Sequence, residues 1–395
     1  MKKIALLLAT LFPLLISSCV KDDETPKFDV KVNLSYPSEF TGKPSGIEVI
    51  LVNQQSGNEI TVKSDENGIA LFPKIERGLY NIKATRYFSA QDAEKVSTIS
   101  KDINVGGILT DKLIDSEANA TFDLNLSVSY FSSIIIKQVY YSACLTPEGA
   151  KFTGKDPFVE LYNNSEHTVY LDGLIYGEVY GNPTGTTASF FRTDQDNVYI
   201  YNAFKIPGEG TQYPLEPGKS VVIAVSAYDF TKDNVNSINL SKAQFEFFMD
   251  KGADTKDIDN PNAVNMVYVH QGYPTIPSEY IPNINGPAIA IFRAKDFASL
   301  EKVKDTSKPA QTSLILKVPN AYVLDAVECL GGDTPNLKRI PTSLDQSFIF
   351  NIAGSGSGKA IIRKEKETKD GRIIYVDNND TANDFKLIDK PVLQL

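Results

Sequence analysis

Residues 28–36, FDVKVNLSY, place apolar side chains at Phe28, Val30, Val32 and Leu34 with polar ones between them. A period of two marks a strand with one face on a core, because successive side chains of an extended chain point to opposite sides. Such a sheet needs a second layer to cover its apolar face. The signal then repeats. GIEVILVNQQSGNEITVKS supplies two runs around a turn at Gln54 to Asn58. Asn67-Gly68 marks another turn, Gly78 opens a further strand, and ATFDLNLSV at 120–128 closes the series. About seven short strands over one stretch predict a β-sandwich, here at residues 28–128.

From Tyr130 the pattern changes. FSSIIIKQVYYSAC is a continuous apolar run, as expected of a strand covered on both faces. The chain has 395 residues, enough for two or three domains. It is 42% hydrophobic, which supports real cores and argues against disorder. Nineteen Tyr and 21 Phe with no Trp, among frequent Gly, Pro, Asn and Asp, suit β structure with long loops. The expected fold class is all-β, two β-sandwiches. A net charge of −9 without basic clusters excludes nucleic acid as the expected partner.

The first residues carry an address. Met1-Lys2-Lys3 and the apolar run Ile4 to Ile16 form a basic start and a hydrophobic segment too short to span a bilayer. Ile16-Ser17-Ser18-Cys19 resembles a bacterial lipobox, which implies a signal peptide at 1–18 and a lipidated Cys19. An ordinary secreted protein with a spare thiol is the plain alternative. Lys21, Asp22, Asp23 and Glu24 read as a solvated leader by composition. They also resemble the export tag of surface lipoproteins in Bacteroidota-type bacteria, with residues 19–27 as tag and tether. The resemblance implies an outer-membrane lipoprotein held by its N-terminal lipid and facing outward.

Gly46…Val49…Leu51, Asp65-x-Asn67-Gly68, Phe72 and Gly78-x-Tyr80 resemble carboxypeptidase-regulatory-like, or transthyretin-like, modules, where such residues are packing features. FVELYNNSEHTVYLDGL (158–174) resembles the first hairpin of lamin-tail domains. LEPGKSVVIA (215–224) resembles their Pro-Gly turn and buried strand, and YVLDAVEC (322–329) a later core strand. GKAIIRKEKETKDGRIIYVDNNDTANDF (358–385) resembles their closing pattern of an Arg strand, an Asn/Asp turn and a terminal Asp-Phe. Residues 130–395 are then expected to be a lamin-tail-like, immunoglobulin-like sandwich with inserted loops near 176–213 and 228–312. The whole chain resembles an uncharacterised family of Bacteroidota surface lipoproteins.

The candidate chemistry is sparse. The two histidines, His167 and His270, show no zinc spacing, and no G-x-S-x-G elbow is present. GSGSG at 354–358 reads as a turn. The expectation is a non-enzymatic protein; an enzyme would need a catalytic cluster that the sequence does not display. No cofactor is expected. The run MDKGADTKDIDNPN (249–262) reads as a solvated acidic loop, and calcium, were it bound, would use Asp254, Asp257 and Asp259. Cys144 and Cys329 end strand-like runs and either pair as a disulfide or stay as buried thiols.

Tyr176, Tyr180, Phe190, Phe191, Tyr199, Tyr201, Phe204, Tyr273 and Tyr280 stud the expected insertions. Tyr among Gly, Ser and Asn is the composition of adaptable contact loops, and the same rings could pack the insertions onto the sandwich. The expected role is partner binding, with an outer-membrane β-barrel transporter or assembly complex as partner. Capture of a small ligand or glycan is the alternative. A flat face on the insertions would suit a protein, and a concave one a small ligand.

Overall fold

The computed structural model describes residues 26–393 apart from 100, 131, 153, 186–192 and 273–276. Cys19, Lys21, Asp22, Asp23, Glu24, Phe190, Phe191 and Tyr273 therefore lie outside the described residues. The fold is all-β, as expected: strands dominate and the described helices are short. The chain divides into two compact units. Within the described residues the first holds 26–35, 43–84 and 107–126, and the second 36–42, 85–106 and 127–393.

In the first unit, Lys27–Ser35 pairs antiparallel with Ile69–Glu76 and parallel with Thr121–Asn125. Glu48–Asn53 and Glu59–Lys63 form a hairpin. The alternation that opens the sequence is the inner face: Val30, Val32, Val49, Leu51, Phe72 and Ile82 are all buried. The turn at Asp65 is built as its residues dictate. The Asp65 carboxylate accepts the backbone N–H groups of Asn67 and Ile69, both at 2.9 Å. Gly68 sits at φ +80°, where a Cβ would lie 2.9 Å from the Pro44 ring. The Tyr80 hydroxyl donates to the Glu76 carbonyl at 2.9 Å.

The second unit is a sandwich of two large sheets. One runs Val264–Asn265, Phe245–Glu246, Ser220–Ala224, Phe158–Asn163, Ile134–Tyr140, Ala360–Arg363, Phe385–Ile388. The other runs Lys302–Val303, Ile315–Pro319, Asn197–Lys205, Ile175–Val179, Ala288–Phe292, Val323–Leu330, Ile349–Phe350, with Val267–His270 added beside Asn197–Lys205. Ile136, Val139, Leu161, Ile223 and Ile361 of the first sheet meet Tyr176, Phe204, Ile291 and Val327 of the second. Further clusters cover the outer faces, Ile200, Phe292 and Val318 on one side and Tyr140, Phe158 and Val222 on the other. Burial on both faces is why Ile134–Tyr140 and Phe158–Asn163 are buried at every residue. Charge inside such strands must be paired, and Lys137 meets Glu160 at 2.8 Å.

Two expectations are corrected. The segments near 176–213 and 228–312 are not simply inserted loops, since they supply Asn197–Lys205, Val267–His270 and Ala288–Phe292 to the eight-stranded sheet. Their Tyr-rich alternation is strand patterning, with aromatic side chains filling a half-buried pleat. In FVELYNNSEHTVYLDGL the second arm, Val169–Tyr170, pairs with Pro214–Leu215 rather than folding back as a hairpin. Asn163 explains this: its amide donates to the carbonyls of His167 (2.7 Å) and Leu215 (2.8 Å), tying the turn to the later segment.

Candidate functional site

Val267–His270 runs antiparallel to Asn197–Lys205 and carries His270 opposite Ala203. Beside it opens a recess of about 680 Å³ lined by Phe248, Asp250, Tyr268, His270, Gln271, Lys302, Thr312 and Ser313, with Met249, Val269 and Leu314. That volume lies in the range of small-molecule pockets. Separate stretches of the chain converge here, so the sequence offers no local motif for it.

His270 is only 5% exposed. Burial, with Lys302 nearby, outweighs a hydrogen bond to the Leu314 backbone and pushes the imidazole pKa down to about 4. The ring is thus neutral at pH 7. With one nitrogen engaged by Leu314, Nε2 has no hydrogen-bond partner among the described residues. A neutral imidazole whose Nδ1–H donates to a carbonyl leaves Nε2 as a bare acceptor.

A polar network fixes the recess wall. Asn202 donates to Glu178 Oε2 at 2.6 Å, and its Oδ1 accepts from the Tyr268 hydroxyl at 2.6 Å and from the Gly272 N–H at 3.2 Å. Burial raises the Glu178 carboxyl above the ordinary range. Gly272 is required by close approach, since a Cβ there would stand 2.4 Å from Tyr201. The Tyr268 ring stacks on Phe204, centroids 4.7 Å apart.

Of the aromatics expected at a partner surface, Tyr176, Tyr180, Tyr199, Phe204 and Tyr280 are buried and Tyr201 is half-buried. Their rings pack the interior. Phe204, for example, lies 4.8 Å from both Phe247 and Tyr280. The expectation of a contact face at these five positions is therefore corrected. Tyr176, Tyr199 and Phe204 lie on buried strands, and Tyr180 and Tyr280 are buried in the loops, so contact-loop composition is core here.

Cys144 and Cys329 are both free and buried, the second of the two alternatives that the sequence left open. Cys144 Sγ lies 3.6 Å from Asp156 and accepts from the Asn234 amide at 3.3 Å. Cys329 sits in the core between the sheets. The acidic run is spread out as well. Asp257 accepts from Ser226 and the Met249 N–H, Asp259 from Asn265, and Asp254 is exposed in a short helical turn. Among the described residues no three His, Cys, Asp or Glu side chains converge in a manner that could hold a metal. His167 is exposed and stacks on Tyr87 of the same unit, ring centroids 4.2 Å apart.

The closing motif is assembled as its residues suggested. Arg363, Asp377, Asn378, Asp384 and Phe385 come together, with Asp384 accepting the Asn378 N–H at 2.8 Å. Arg363, Asp384 and Phe385 are buried and the cluster is internally paired, so its part is to hold the fold.

The structure thus defines an all-β protein with an open, mixed-polarity recess on its larger unit. Residues 216–392 match the model of a protein family of unknown function, DUF4876. The fold resembles the crystal structure of a DUF4876 family protein from Bacteroides thetaiotaomicron, with TM-score 0.58 and 24% identity, covering 91% of this chain and 94% of that one. A candidate adhesin from Bacteroides ovatus (TM-score 0.22, 10% identity, 79% and 88% covered) and a DUF3823 family protein from Parabacteroides merdae (0.18, 8%, 77% and 99%) are far more distant. Likeness at that level carries no argument about role. No curated protein matches the chain. The match and the Bacteroides structure agree with an uncharacterised Bacteroidota family; the lamin-tail and carboxypeptidase-regulatory-like resemblances rest on the motifs. No described helix is long and apolar enough to cross a membrane.

Proposed function

We propose that this chain is a non-enzymatic, lipid-anchored protein of the outer-membrane surface that binds a small ligand in the recess beside His270. The observation that carries the reading is a concave site of ligand size, lined by His270 together with charged and hydroxyl-bearing side chains. A catalytic base works on a nucleophile within hydrogen-bond reach, whereas His270 engages the Leu314 backbone. The address rests on the lipobox-like Cys19 and the acids that follow it. The test is a thermal-shift screen of a chemically mixed small-molecule library on the detergent-solubilised full chain and on His270→Phe. Compounds that stabilise the parent but not the variant are expected. A library that yields none overturns the reading.

A second reading, the accessory subunit of an outer-membrane β-barrel complex, is favoured by one surface. Ile352 (91% exposed) and Val235 (73%) lie on loops that both reach Leu145, through Gly356 and Asn236. Bare aliphatic side chains in neighbouring loops suit a protein partner. Stoichiometric co-purification of a β-barrel protein from mild detergent, lost in Ile352→Asp with Val235→Asp, would carry this reading; the chain purifying alone would end it.

A further inference from the structure

The chain enters the first unit at one end of its strands. The Pro26 carbonyl accepts the Arg77 N–H at 3.0 Å, and Lys27 pairs with Glu76. Asn33 pairs with Ile69, and the Leu34 N–H meets the Gly68 carbonyl, so the 65–68 turn marks the opposite end. The 54–58 turn lies at the entry end. Its Gln54 N–H donates to the carbonyl of Leu79, two residues beyond Arg77, at 2.9 Å. The Gln54 amide reaches Asn81 at 2.7 Å and Asp111 at 2.9 Å. Ile103–Ile114 arrives there from Gly107, where a Cβ would stand 2.9 Å from the side chain of Leu124, the partner of Leu34.

Bare aliphatic side chains gather at this entry end. Leu79 is 40% exposed, Ile60 43% and Leu113 48%. Their neighbours Tyr80 and Ile114 are buried, which turns Leu79 and Leu113 to the outer face of the sheet. Ile60 lies on the edge strand Glu59–Lys63, opposite Leu51 and beside the same turn. Between these side chains Gln54, Gln55, Ser56 and Asn58 are exposed and carry no charge.

Reach and size decide what covers them. Cys19 and Pro26 are seven residues apart, a span of at most about 25 Å when fully extended. An acylated Cys19 thus keeps the entry end within that distance of the lipid. A stable protein interface takes about 20–30 residues from each side, far more than three aliphatics around a small turn. A bilayer needs no such area, because the anchor makes the contact intramolecular and its effective concentration high. Uncharged amides and a hydroxyl can hydrogen-bond headgroups, while the aliphatic side chains enter the boundary with the acyl chains.

Resting on the lipid anchoring proposed above, we infer that the entry end of the first unit docks on the bilayer that holds Cys19, with Ile60, Leu79 and Leu113 in the headgroup boundary and the 54–58 turn against the headgroups. The 65–68 turn, at the other end of the strands, faces away from the lipid.

The experiment uses the absence of tryptophan from the chain, which makes any introduced Trp a single reporter. Ile60→Trp, Leu79→Trp and Leu113→Trp, with Glu66→Trp as the control at the opposite end, are made in the full chain as extracted from membranes. Each is reconstituted into phosphatidylcholine vesicles with and without bromine on the acyl chains. Intact mass and flotation with the vesicles report the anchor separately. The expected result is an acylated, floating chain in which brominated lipid removes most of the fluorescence at 60, 79 and 113 and leaves that at 66. Amide exchange needs no Trp variant, so it decides even where one fails to fold. The 54–58 turn should exchange more slowly in the anchored parent than in a Cys19→Ser chain in buffer, and the 65–68 turn equally in both. An acylated, floating chain with no quenching at the three positions, or with equal quenching at 66, overturns the docking and leaves the anchor standing. Equal exchange of the 54–58 turn in both chains overturns it as well. A chain that carries no acyl group and does not float overturns the anchor, and the docking with it.

Discussion

Arg363 Nη2 donates to Asp325 Oδ2 at 2.6 Å, joining two strands of opposite sheets through the middle of the larger unit. The same guanidinium reaches Asp377 at 3.1 Å, Asp384 at 3.5 Å and the carbonyls of Ile136 and Val376, both at 2.9 Å. It also lies over the Phe385 ring, 4.6 Å from its centroid. One side chain thus ties both sheets to the closing turn. Removing one member of a buried pair strands the others without compensation and costs about 3–5 kcal/mol. Arg363→Met should lower the urea-unfolding free energy by that much. Arg363→Lys should recover little, because an ammonium cannot span the same five acceptors in one plane. A loss below about 1 kcal/mol for Arg363→Met would refute the role.

The Arg363 cluster was legible only through the resemblance of residues 358–385 to a lamin-tail closing pattern, an Arg strand followed by an Asn/Asp turn and a terminal Asp-Phe. The first unit was legible from its own residues, since alternation at Phe28 to Leu34 fixes which face is buried. The aromatic segments were not. NVYIYNAFK reads equally as a contact loop or a strand, and only the pairing of Asn197–Lys205 with Ile315–Pro319 and Ile175–Val179 decides for core. The recess was legible only in that His270, one of two histidines, ends an apolar run. Lys302, Thr312 and Ser313 reach it by tertiary pairing, which no local pattern encodes.

His270 predicts a pH dependence with a definite sign. Its pKa falls from 6.5 to about 4 on folding, so between those values the unfolded chain binds more protons. The stability that depends on a neutral imidazole is complete above about pH 6.5 and is lost as pH falls toward 4. Asp345, raised by burial to about 6, works in the opposite direction, so the comparison must be between variants. The parent chain should lose more stability than His270→Phe between pH 7 and pH 4, measured by urea titration at each pH. Equal slopes would show that His270 titrates normally.

The two cysteines predict a chemical silence. Burial pushes the Cys144 thiol up to about 11 and the Cys329 thiol higher still, leaving almost no thiolate at neutral pH. In a chain with Cys19→Ser, Ellman's reagent should find no reactive thiol in the native protein and two after denaturation without reductant. A mass two daltons lower, with no thiol released on unfolding, would mean a disulfide instead.

Asn202 offers the sharpest test of how the recess wall is held. Its amide is read at both ends: Nδ2 donates to Glu178 and Oδ1 accepts from Tyr268 and Gly272. Asn202→Leu keeps the volume but leaves those three groups without this partner, at about 1–3 kcal/mol for each buried group that finds no other. Asn202→Asp is subtler, because it sets two carboxyl groups within hydrogen-bond distance in a buried site. Two such groups cannot both ionise, so they share a proton and their combined pKa rises above that of the unfolded chain. By linkage, stability in Asn202→Asp is then present at low pH and lost as pH rises through the raised value. Its unfolding free energy should approach the parent's near pH 5 and fall behind by pH 8. A pH-independent deficit would mean that Glu178 turns away to solvent, and that the amide bridge does not hold the wall.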